Sequence, residues 1–278
     1  MGEQLITRVT EKDVTPYVFL CGEPERVPRI ADLLGGGEKV RVVREYSIYR
    51  AGLEGETVTI ASTGVGGAST AVLVEEMANV GARTFLRVGT SGGIGEKVKK
   101  GDFVISTGAI AEEGTSRAYV WPSYPAAAHY QAVLALVAGA SEVGARFHVG
   151  VTFSVDGFYA ENKILDKGEL RSMSYQGFML PSRKDRLADV AAMGALHIEM
   201  ENSSLFTLGG VFGLRTGSIC TVSDVVPWHP TDEIINFEEN ITDCIRAAIR
   251  GMAKLIRWDR ERGDRPFWWP GIQAESRD

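Results

Sequence analysis

Short apolar runs that end in glycine alternate with segments of helical periodicity along most of this chain. Residues 16–22 form the first such run and are followed by a segment with helical spacing over residues 23–34. An amphipathic helix is then indicated at residues 68–82 and a β-rich run at residues 83–90. Strands that are continuously apolar and separated by helices are typical of a sheet buried on both faces. The alternation therefore predicts an α/β fold around a central, mostly buried sheet.

No linker, repeat or low-complexity stretch divides the chain. We therefore expect one domain over residues 1–258, closed by an amphipathic helix at residues 231–258. Residues 259–278 would form a C-terminal extension that is first charged and then aromatic. Its Phe-Trp-Trp cluster at residues 267–269 is expected either to dock on a partner subunit or to pack within the chain. Two less regular segments are interpreted as loops or a lid, namely residues 112–130 and 159–194.

Charge and cysteine content exclude several classes of protein. The chain has 36 acidic and 30 basic residues and a formal net charge of −6, so a broad surface for nucleic acid or anionic membranes is not expected. Because the overall charge is negative, any anion that binds must be held locally by a few arginine side chains. The odd number of cysteines, 3, argues against a disulfide framework. No apolar run approaches the roughly 18 residues that span a membrane and no signal-peptide core precedes the first strand, so a cytoplasmic protein is expected.

Three glycine-rich loops follow predicted strands, at residues 21–26, 63–67 and 89–93. Ligands gather at the carboxyl ends of strands in open α/β sheets, and backbone N–H groups freed by glycine, such as that of Gly22, can hold an anion. None of the loops has the spacing of a P-loop or of a dinucleotide-binding motif. Taken alone, each loop is explained equally well by a tight turn.

Three arginines lie near these loops. Arg26 follows the first loop closely enough to turn back over it, and Arg87 lies within the apolar run of residues 85–88, where a charge is costly unless paired. A phosphate would suit these two arginines together with Arg44 and the hydroxyl of Thr90, because guanidinium groups match its oxygens. The alternatives are a buried salt bridge for Arg87 and an exposed strand edge for Arg44.

Acidic and aromatic positions complete the candidate site. Glu199 and Glu201 share one side of a strand end, where a carboxylate can accept hydrogen bonds from a sugar diol; the alternative is charge pairing at a helix N-terminus. Asp224 follows Ser223 at the end of an apolar strand and is a candidate general acid, with a helix cap as the alternative. Phe158 follows another strand and can stack on a flat ring, although aromatics in a core are more common.

Together these motifs, in order over residues 14–255, resemble the trimeric and hexameric nucleoside phosphorylases, a family that includes purine nucleoside, uridine and methylthioadenosine phosphorylases. The resemblance rests on six stretches: residues 21–26 (CGEPER), 62–69 (STGVGGAS), 85–93 (FLRVGTSGG), 158–159 (FY), 199–201 (EME) and 221–224 (TVSD). Each is modest alone, but six in register are highly specific. The resemblance implies a single α/β domain with a central mixed, partly barrel-like sheet flanked by helices.

The resemblance also implies a role for each matching residue. Phosphate, the co-substrate, would be bound by Gly22, Arg26, Arg44, Arg87 and Thr90. Ribose would be held by Met200 and Glu201, and the base by Phe158, Asn162, Ser223 and Asp224. Of these residues, Arg87 and Asp224 would be catalytic. No organic cofactor is implied, but Glu45 and Ser69 match positions that bind a monovalent cation, here expected to be potassium.

The implied assembly is a homo-oligomer, because the family takes the counterpart of Arg44 from the neighbouring subunit. The active unit would then be a dimer, and three dimers would form a hexamer. The implied partners are small molecules, a nucleoside and phosphate, with no nucleic acid and no membrane.

The implied reaction is reversible phosphorolysis of a nucleoside to free base and ribose 1-phosphate. A purine is favoured, because Ile164 stands where uridine phosphorylases carry a base-reading arginine, Asn162 stands at their glutamine, and Ser223-Asp224 is typical of purine-cleaving members. The alternatives are a uridine phosphorylase with an altered base site, a methylthioadenosine phosphorylase and a hydrolytic nucleosidase. Methylthioadenosine is considered because Ile6 stands near the place of a histidine that contacts the sugar 5′-hydroxyl.

Overall fold

A computed structural model describes residues 2–229, 237–268 and 270 of the chain. The strands, in chain order, are β1 (Tyr17–Cys21), β2 (Gly37–Val43), β3 (Tyr46–Leu53), β4 (Glu56–Ser62), β5 (Thr84–Ile94), β6 (Phe103–Glu112), β7 (Ala126–Ala127), β8 (Phe147–Val155), β9 (Lys163–Asp166), β10 (Glu169–Ser172), β11 (Ala195–Glu199) and β12 (Arg215–Val226). The α-helices are α1 (Arg26–Leu33), α2 (Gly67–Asn79), α3 (Thr115–Tyr119), α4 (Tyr130–Val143), α5 (Phe158–Glu161), α6 (Arg186–Ala192), α7 (Asn202–Phe212) and α8 (Phe237–Arg262). Two 3₁₀ turns lie between β10 and α6, at Tyr175–Gly177 and Pro181–Arg183.

The central sheet closes on itself through five of its strands. In the order β5, β12, β6, β8 and β11 each strand pairs with the next, and β11 returns to β5 through the pairs His197–Gly93 and Ile198–Gly92. The ring is mixed, because β12 runs parallel to β5 but antiparallel to β6. From β5 the sheet continues outward through β1, β4, β3 and β2. The prediction of a single α/β domain with a mixed, partly barrel-like sheet is confirmed.

Both faces of the sheet are covered, and β1 illustrates why its sequence is continuously apolar. Phe19 belongs to a core cluster that includes residues of α1, α4 and α8. Its neighbours Val18 and Leu20 point to the other side, into a cluster with residues of α2 and α7. Alternate side chains of a strand face opposite ways, so a strand covered on both sides needs apolar residues at every position.

Two predicted loop regions are more regular than expected. Residues 112–130 contain α3 and β7, and residues 159–194 contain most of α5, the β9–β10 hairpin and α6. The predicted helix at 231–258 begins at Phe237 in the described part and continues to Arg262; residues 231–236 lie outside the described residues. The helix thus runs past residue 258, and the division into a domain and an extension stays a prediction.

The aromatic part of the extension packs partly on its own chain. Trp268 is only 4% exposed and meets the ring of Trp258 at a centroid distance of 6.1 Å. Its carbonyl oxygen accepts hydrogen bonds from Tyr130 and Gln131 at the start of α4. Phe267 is exposed, and Trp269 lies outside the described residues.

All three cysteines, Cys21, Cys220 and Cys244, are free and buried. In the described part of the chain, no helix has both the length and the apolar character needed to cross a lipid bilayer.

Candidate active site

The candidate site lies where several parallel strands end. Strand β1 is parallel to β4 and to β5, and β5 is parallel to β12, so the segments at the carboxyl ends of these strands meet at one edge of the sheet. The prediction of a third glycine-rich loop at residues 89–93 is wrong, because β5 continues through these residues to Ile94. A cavity of about 480 Å³ opens there. Its lining includes most residues that the sequence singles out, namely Gly22, Arg26, Glu45, Arg87, Thr90, Phe158, Asn162, Met200, Glu201, Ser223 and Asp224. Neither Arg44 nor Ser69 lines it.

Arg87 is buried and ion-paired at the wall of this cavity. Its Nη2 contacts Oε2 of Glu201, and its Nη1 lies 4.0 Å from Oε2 of Glu199. Burial lowers the pKa of Arg87, but the neighbouring Glu201, Cys220 and Glu199 together outweigh burial, so the pKa is raised. The salt bridge considered as an alternative to phosphate binding is therefore present. Arg87 still lines the cavity, so phosphate binding by this residue stays a prediction.

Two contacts of Arg87, with Gly89 and with Cys220, were missed by the sequence analysis. A Cβ atom at Gly89 would lie 1.9 Å from Nη1 of Arg87, so the guanidinium rests directly over the glycine backbone. On the paired strand, Cys220 is opposite Gly89, and its Sγ accepts a hydrogen bond from Nη1 at 3.0 Å. Burial raises the pKa of the Cys220 thiol, which therefore stays neutral. Cross-strand register creates this arrangement, and nothing in the local sequence indicates it.

Glu199 and Glu201, for which the sequence analysis left sugar binding and helix N-terminal pairing as alternatives, make different contacts. Oε2 of Glu199 accepts the backbone N–H groups of Glu201 and Asn202, both at 2.8 Å, at the beginning of α7. Glu199 thus accepts hydrogen bonds from backbone N–H groups at the N-terminus of α7 that lack partners within the helix, and burial raises the pKa of its carboxyl group. Glu201 instead pairs with Arg87 and accepts the N–H of Gly66 at 2.7 Å. The helix-terminus alternative therefore applies to Glu199, whereas Glu201 joins the second glycine loop to β5.

Arg26 brings a second guanidinium to the same region. It begins α1, its side chain is buried, and its Nη1 donates to the carbonyl oxygen of Val88 at 3.2 Å. Its Nη2 lies 2.7 Å from Oε2 of Glu23. The backbone of the first loop is bound to the second, because the N–H of Gly64 donates to the carbonyl oxygen of Gly22 at 3.0 Å. The first glycine loop, with its arginine, is thus joined to both the second loop and β5.

Asp224 faces the cavity from within β12 and does not lie at the strand's end. The register with β5 shifts between Val222 and Asp224, so Ser223 is the extra residue of a β-bulge. The Ser223 hydroxyl donates to Oδ1 of Asp224 and also lies 3.3 Å from the carbonyl oxygen of Ser91. Since β12 continues to Val226, the alternative of a helix cap at Asp224 is wrong. The bulge re-aims the strand and brings both side chains to the cavity.

Phe158 and Asn162 form another wall. Phe158 opens the one-turn helix α5 and is 41% exposed, with edge contacts to Tyr159 and Trp228 at centroid distances of 5.2 and 6.4 Å. Asn162 is buried, and its Nδ2 donates to the carbonyl oxygen of Phe158 at 2.8 Å. Ile164 does not line the cavity. One amide group and one exposed ring are therefore presented at this wall.

The remaining predicted residues lie at the hairpin between β2 and β3. Arg44 is an exposed residue of the turn with a φ of 54°, so the expectation that it lies in a strand is wrong. A non-glycine residue in this left-handed conformation carries a cost in free energy of order 1 kcal/mol or more. Glu45 follows it and approaches the second glycine loop: a Cβ at Gly64 would lie 2.7 Å from Cγ of Glu45 and 3.4 Å from Oγ of Ser69. Glu45 and Ser69 are thus near one another.

Chemically, the cavity can hold a small polar molecule with an anionic part. Two guanidinium groups, from Arg26 and Arg87, border it beside backbone of the glycine loops, and acidic side chains from Glu201 and Asp224 lie on other parts of the wall. Within the described ranges, no cluster of three or more His, Cys, Asp or Glu residues is arranged to hold a metal ion.

A family model and three known proteins similar to this chain carry the name phosphorylase. A model of the phosphorylase superfamily matches residues 16–257. The chain is 35% identical over 264 residues to a uridine phosphorylase of Thermococcus kodakarensis, covering 94% of this chain and 91% of the relative. It is 39% identical over 238 residues to a uridine phosphorylase of Klebsiella aerogenes, with 84% and 90% covered. A guanosine phosphorylase of Halorubrum lacusprofundi is 39% identical over 222 residues, with 80% and 83% covered.

Proposed function

The chain belongs to the phosphorylase superfamily and is a nucleoside phosphorylase, a pentosyltransferase, and on this premise we propose that its preferred nucleoside is uridine. In the proposed reaction a phosphate oxygen attacks C1′ of the nucleoside and forms a C1′–O bond. The C1′–N bond breaks, and its electron pair leaves with the base, which takes up a proton. The products are uracil and ribose 1-phosphate, formed with inversion at C1′.

The observation that carries the proposal is the burial of two guanidinium groups in the same cavity as an exposed aromatic ring. Arg26 and Arg87 border the cavity with Gly22 and Thr90, and Phe158 lines another part of it. In an acidic protein, two arginines at one site are well suited to bind and orient phosphate, because fixed guanidinium groups need no reorganisation when the anion arrives. Once bound, the phosphate charge would also stabilise the cationic sugar in the transition state.

We assign ribose binding to Met200 and Glu201, which line the same cavity as Arg87 and Phe158. Glu201 meets Arg87 through Oε2 and the second glycine loop through Oε1. Each carboxylate oxygen has two lone pairs, so a ribose diol can still be accepted. A carboxylate that binds both the diol and the phosphate-binding arginine would set the distance between C1′ and the attacking oxygen.

Two observations support uridine: the names of the relatives, and the cavity wall formed by Phe158 and Asn162. The names of the Thermococcus and Klebsiella relatives favour uridine and give the expected purine preference no support. The amide of Asn162 is consistent with uracil, whose ring edge presents both hydrogen-bond acceptors and an N–H donor. We therefore take uridine as the first candidate.

A second candidate is guanosine, and a specific observation favours it. The carboxyl group of Asp224, held by the Ser223 hydroxyl, lines the cavity, and Ile164 does not. A protonated carboxyl group can neutralise a departing purine, and a carboxylate can accept the N–H groups of guanine. The Halorubrum relative is a guanosine phosphorylase.

The assembly and the cation are further parts of the proposal. Arg44 is exposed on a hairpin and does not line its own cavity, which is consistent with delivery to the cavity of a neighbouring subunit. We propose a dimer as the active unit and a hexamer of three dimers. Glu45 and Ser69, close to each other beside Gly64, are the proposed ligands of a potassium ion.

A substrate panel tests the proposed specificity. Uridine, guanosine, inosine, adenosine and methylthioadenosine would each be incubated with phosphate, and the free base quantified over time. We expect kcat/KM to be highest for uridine. Guanosine as the best substrate would transfer the proposal to the second candidate, and methylthioadenosine as the best substrate would contradict both.

A further inference from the structure

Helix α5 carries one wall of the cavity but cannot hold its own position. It comprises only Phe158–Glu161, and its turn is closed by the N–H groups of Glu161 and Asn162, which donate to Gly157 and Phe158 at 2.9 and 3.1 Å. A single helical turn is unstable alone, because many backbone angles are fixed for few hydrogen bonds. The placement of Phe158 and Asn162 must therefore come from contacts with the rest of the fold.

Arg186 makes the main ionic contact to this turn. It is the first residue of α6, within the irregular segment that the proposed function does not use. Its Nη1 contacts Oε1 of Glu161 in α5, and its Nη2 donates to Oε2 of Glu112, the last residue of β6, at 2.6 Å. One guanidinium thus joins α5, α6 and a strand of the closed barrel.

The surroundings of Arg186 make this contact stronger than an ordinary surface ion pair. The side chains of Arg186 and Glu161 are only 12% and 15% exposed, so water and salt screen the pair poorly. The guanidinium also lies over the ring of Phe153 in β8, with Cζ 5.1 Å from the ring centroid. Arg183 also lies near Glu161, at 3.8 Å, but its side chain is more exposed.

A second contact supports the turn from the other side. The buried Lys163 donates from Nζ to the carbonyl oxygen of Ala160 at 2.7 Å, which satisfies a backbone acceptor of α5. This contact stabilises the turn internally. The Lys163 bond does not link α5 to the barrel. Arg186 makes that link, through Glu161 and Glu112.

We propose that Arg186 is a positioning residue for nucleoside binding: through Glu161 it holds α5 so that Phe158 and Asn162 face the base. This inference rests on the proposed function, because it takes this wall as the base-binding wall. Arg186 does not line the cavity, and it contacts none of the residues assigned to phosphate. Its loss should therefore weaken the binding of the nucleoside and leave that of phosphate unchanged.

The first test separates the two substrates. We expect Arg186→Gln to raise KM for the nucleoside about tenfold, with KM for phosphate and kcat changed less than about twofold. Arg186→Lys, which keeps the charge but loses the two-pronged geometry, should give an intermediate value. The matched control is Arg171→Gln: Arg171 pairs with Glu169 on the same segment but is 59% exposed, and its loss should change neither KM.

A double-mutant cycle identifies the partner. Because Glu161→Gln breaks the same contact, the variant carrying both Glu161→Gln and Arg186→Gln should have the nucleoside KM of Arg186→Gln alone. Additive increases would show that Arg186 acts through some other group and would overturn the proposal. So would equal increases in both KM values, or a lower melting temperature with unchanged KM values.

Hydrogen exchange gives a readout that does not need turnover. In Arg186→Gln the amides of Glu161 and Asn162 should exchange faster than in the parent chain, whereas those of β5 should not change. Unchanged exchange in α5 would overturn the proposal. If the parent chain cleaves no nucleoside, the proposed function fails in that control, and exchange still decides whether Arg186 holds the turn.

Discussion

The two ends of the cavity are built from different parts of the fold. The end that we propose binds phosphate, the phosphate end, consists of Arg87 on β5, with Gly89 beneath it and Cys220 opposite it on β12, and these long strands form part of the closed barrel. The end that we propose binds the base, the base end, is formed by Phe158 and Asn162, which belong to a single helical turn and the residue after it. That turn is held from outside by Arg186.

In the proposed function, the phosphate end provides the phosphorolysis reaction and the base end determines which nucleoside is preferred. A phosphate site embedded in paired strands can change only if the barrel changes, because packed interiors tolerate little displacement. A base wall held by a few side-chain contacts can be altered by substitutions in one segment. This account explains why the reaction is common to the relatives, whereas the bases in their names differ.

The largest predicted effect is at the phosphate end. Arg87→Ala should lower kcat/KM for phosphate by roughly 100- to 1,000-fold, because a buried group that stabilises the charged transition state is lost. The measurement is initial rate against phosphate concentration. The control is Arg83→Ala, immediately before the opposite end of β5; within the described residues its guanidinium donates to the carbonyl oxygens of Ala78 and Ala82. An unchanged phosphate dependence in Arg87→Ala would remove Arg87 from the site.

The next effect tests Asp224 at the base end. Asp224→Asn should slow cleavage of guanosine about 100-fold but that of 7-methylguanosine much less, because the base of the latter already carries a positive charge and needs no acid. Uridine, which has no purine N7, should be affected least. The control is Asp166→Asn on the β9–β10 hairpin. Equal losses for guanosine and 7-methylguanosine would mean that Asp224 is not the general acid.

Gly89→Ala should disturb the phosphate end indirectly. The added Cβ would lie 1.9 Å from Nη1 of Arg87, so the guanidinium must move, and we expect KM for phosphate to rise by about tenfold to 100-fold. Gly52→Ala in β3 is the matched control, since a Cβ there meets no atom within 4 Å. A rise in the KM for the nucleoside, with phosphate binding intact, would contradict the assignment of the two ends.

The last prediction concerns the pH dependence of stability and not activity. Burial lowers the pKa of His197 to about 3, helped by the charge of Arg87, and burial lowers that of His129 to about 4. Both values lie below the ordinary value of about 6.5, so between about pH 6.5 and 4 the unfolded chain binds more protons than the folded one. The free energy of unfolding should therefore fall as the pH falls through this range.

Denaturant unfolding at several pH values measures this dependence. His197→Gln should flatten the slope by up to about 1.4 kcal/mol per pH unit, the contribution of one proton. His129→Gln should leave the part due to His197 in place. A free energy of unfolding that does not change between pH 6.5 and 4 would contradict the buried, neutral state of both histidines.

The phosphate end was more predictable from the sequence than the base end. Arg87 stands out as a charge inside an apolar run, and the rule that ligands gather at strand ends brings the glycine loops together without any structure. The contact with Cys220 depends on strand register between residues 133 positions apart, which local patterns do not contain. The bulge at Ser223 was unpredictable for the same reason.

At the base end, the contacts that hold α5 come from residues 159–194, the segment with the least regular hydrophobic periodicity. Arg186 is 25 residues from Glu161 and 74 from Glu112, in a stretch whose periodicity indicated only loops or a lid. Arg44 shows a related limit: the strand pattern continued through it, but the chain turns there with a positive φ. Short elements fixed by tertiary contacts are not encoded in local spacing.

The central claim is that phosphate, not water, accepts the pentose. Phosphorus NMR of the protein with uridine and inorganic phosphate tests it directly. We predict that the phosphate signal decreases as a ribose 1-phosphate signal grows, with one sugar phosphate formed for each uracil released, and that no base is released without phosphate. Release of base with the phosphate signal unchanged, and free ribose as the sugar product, would contradict the account and identify a hydrolase.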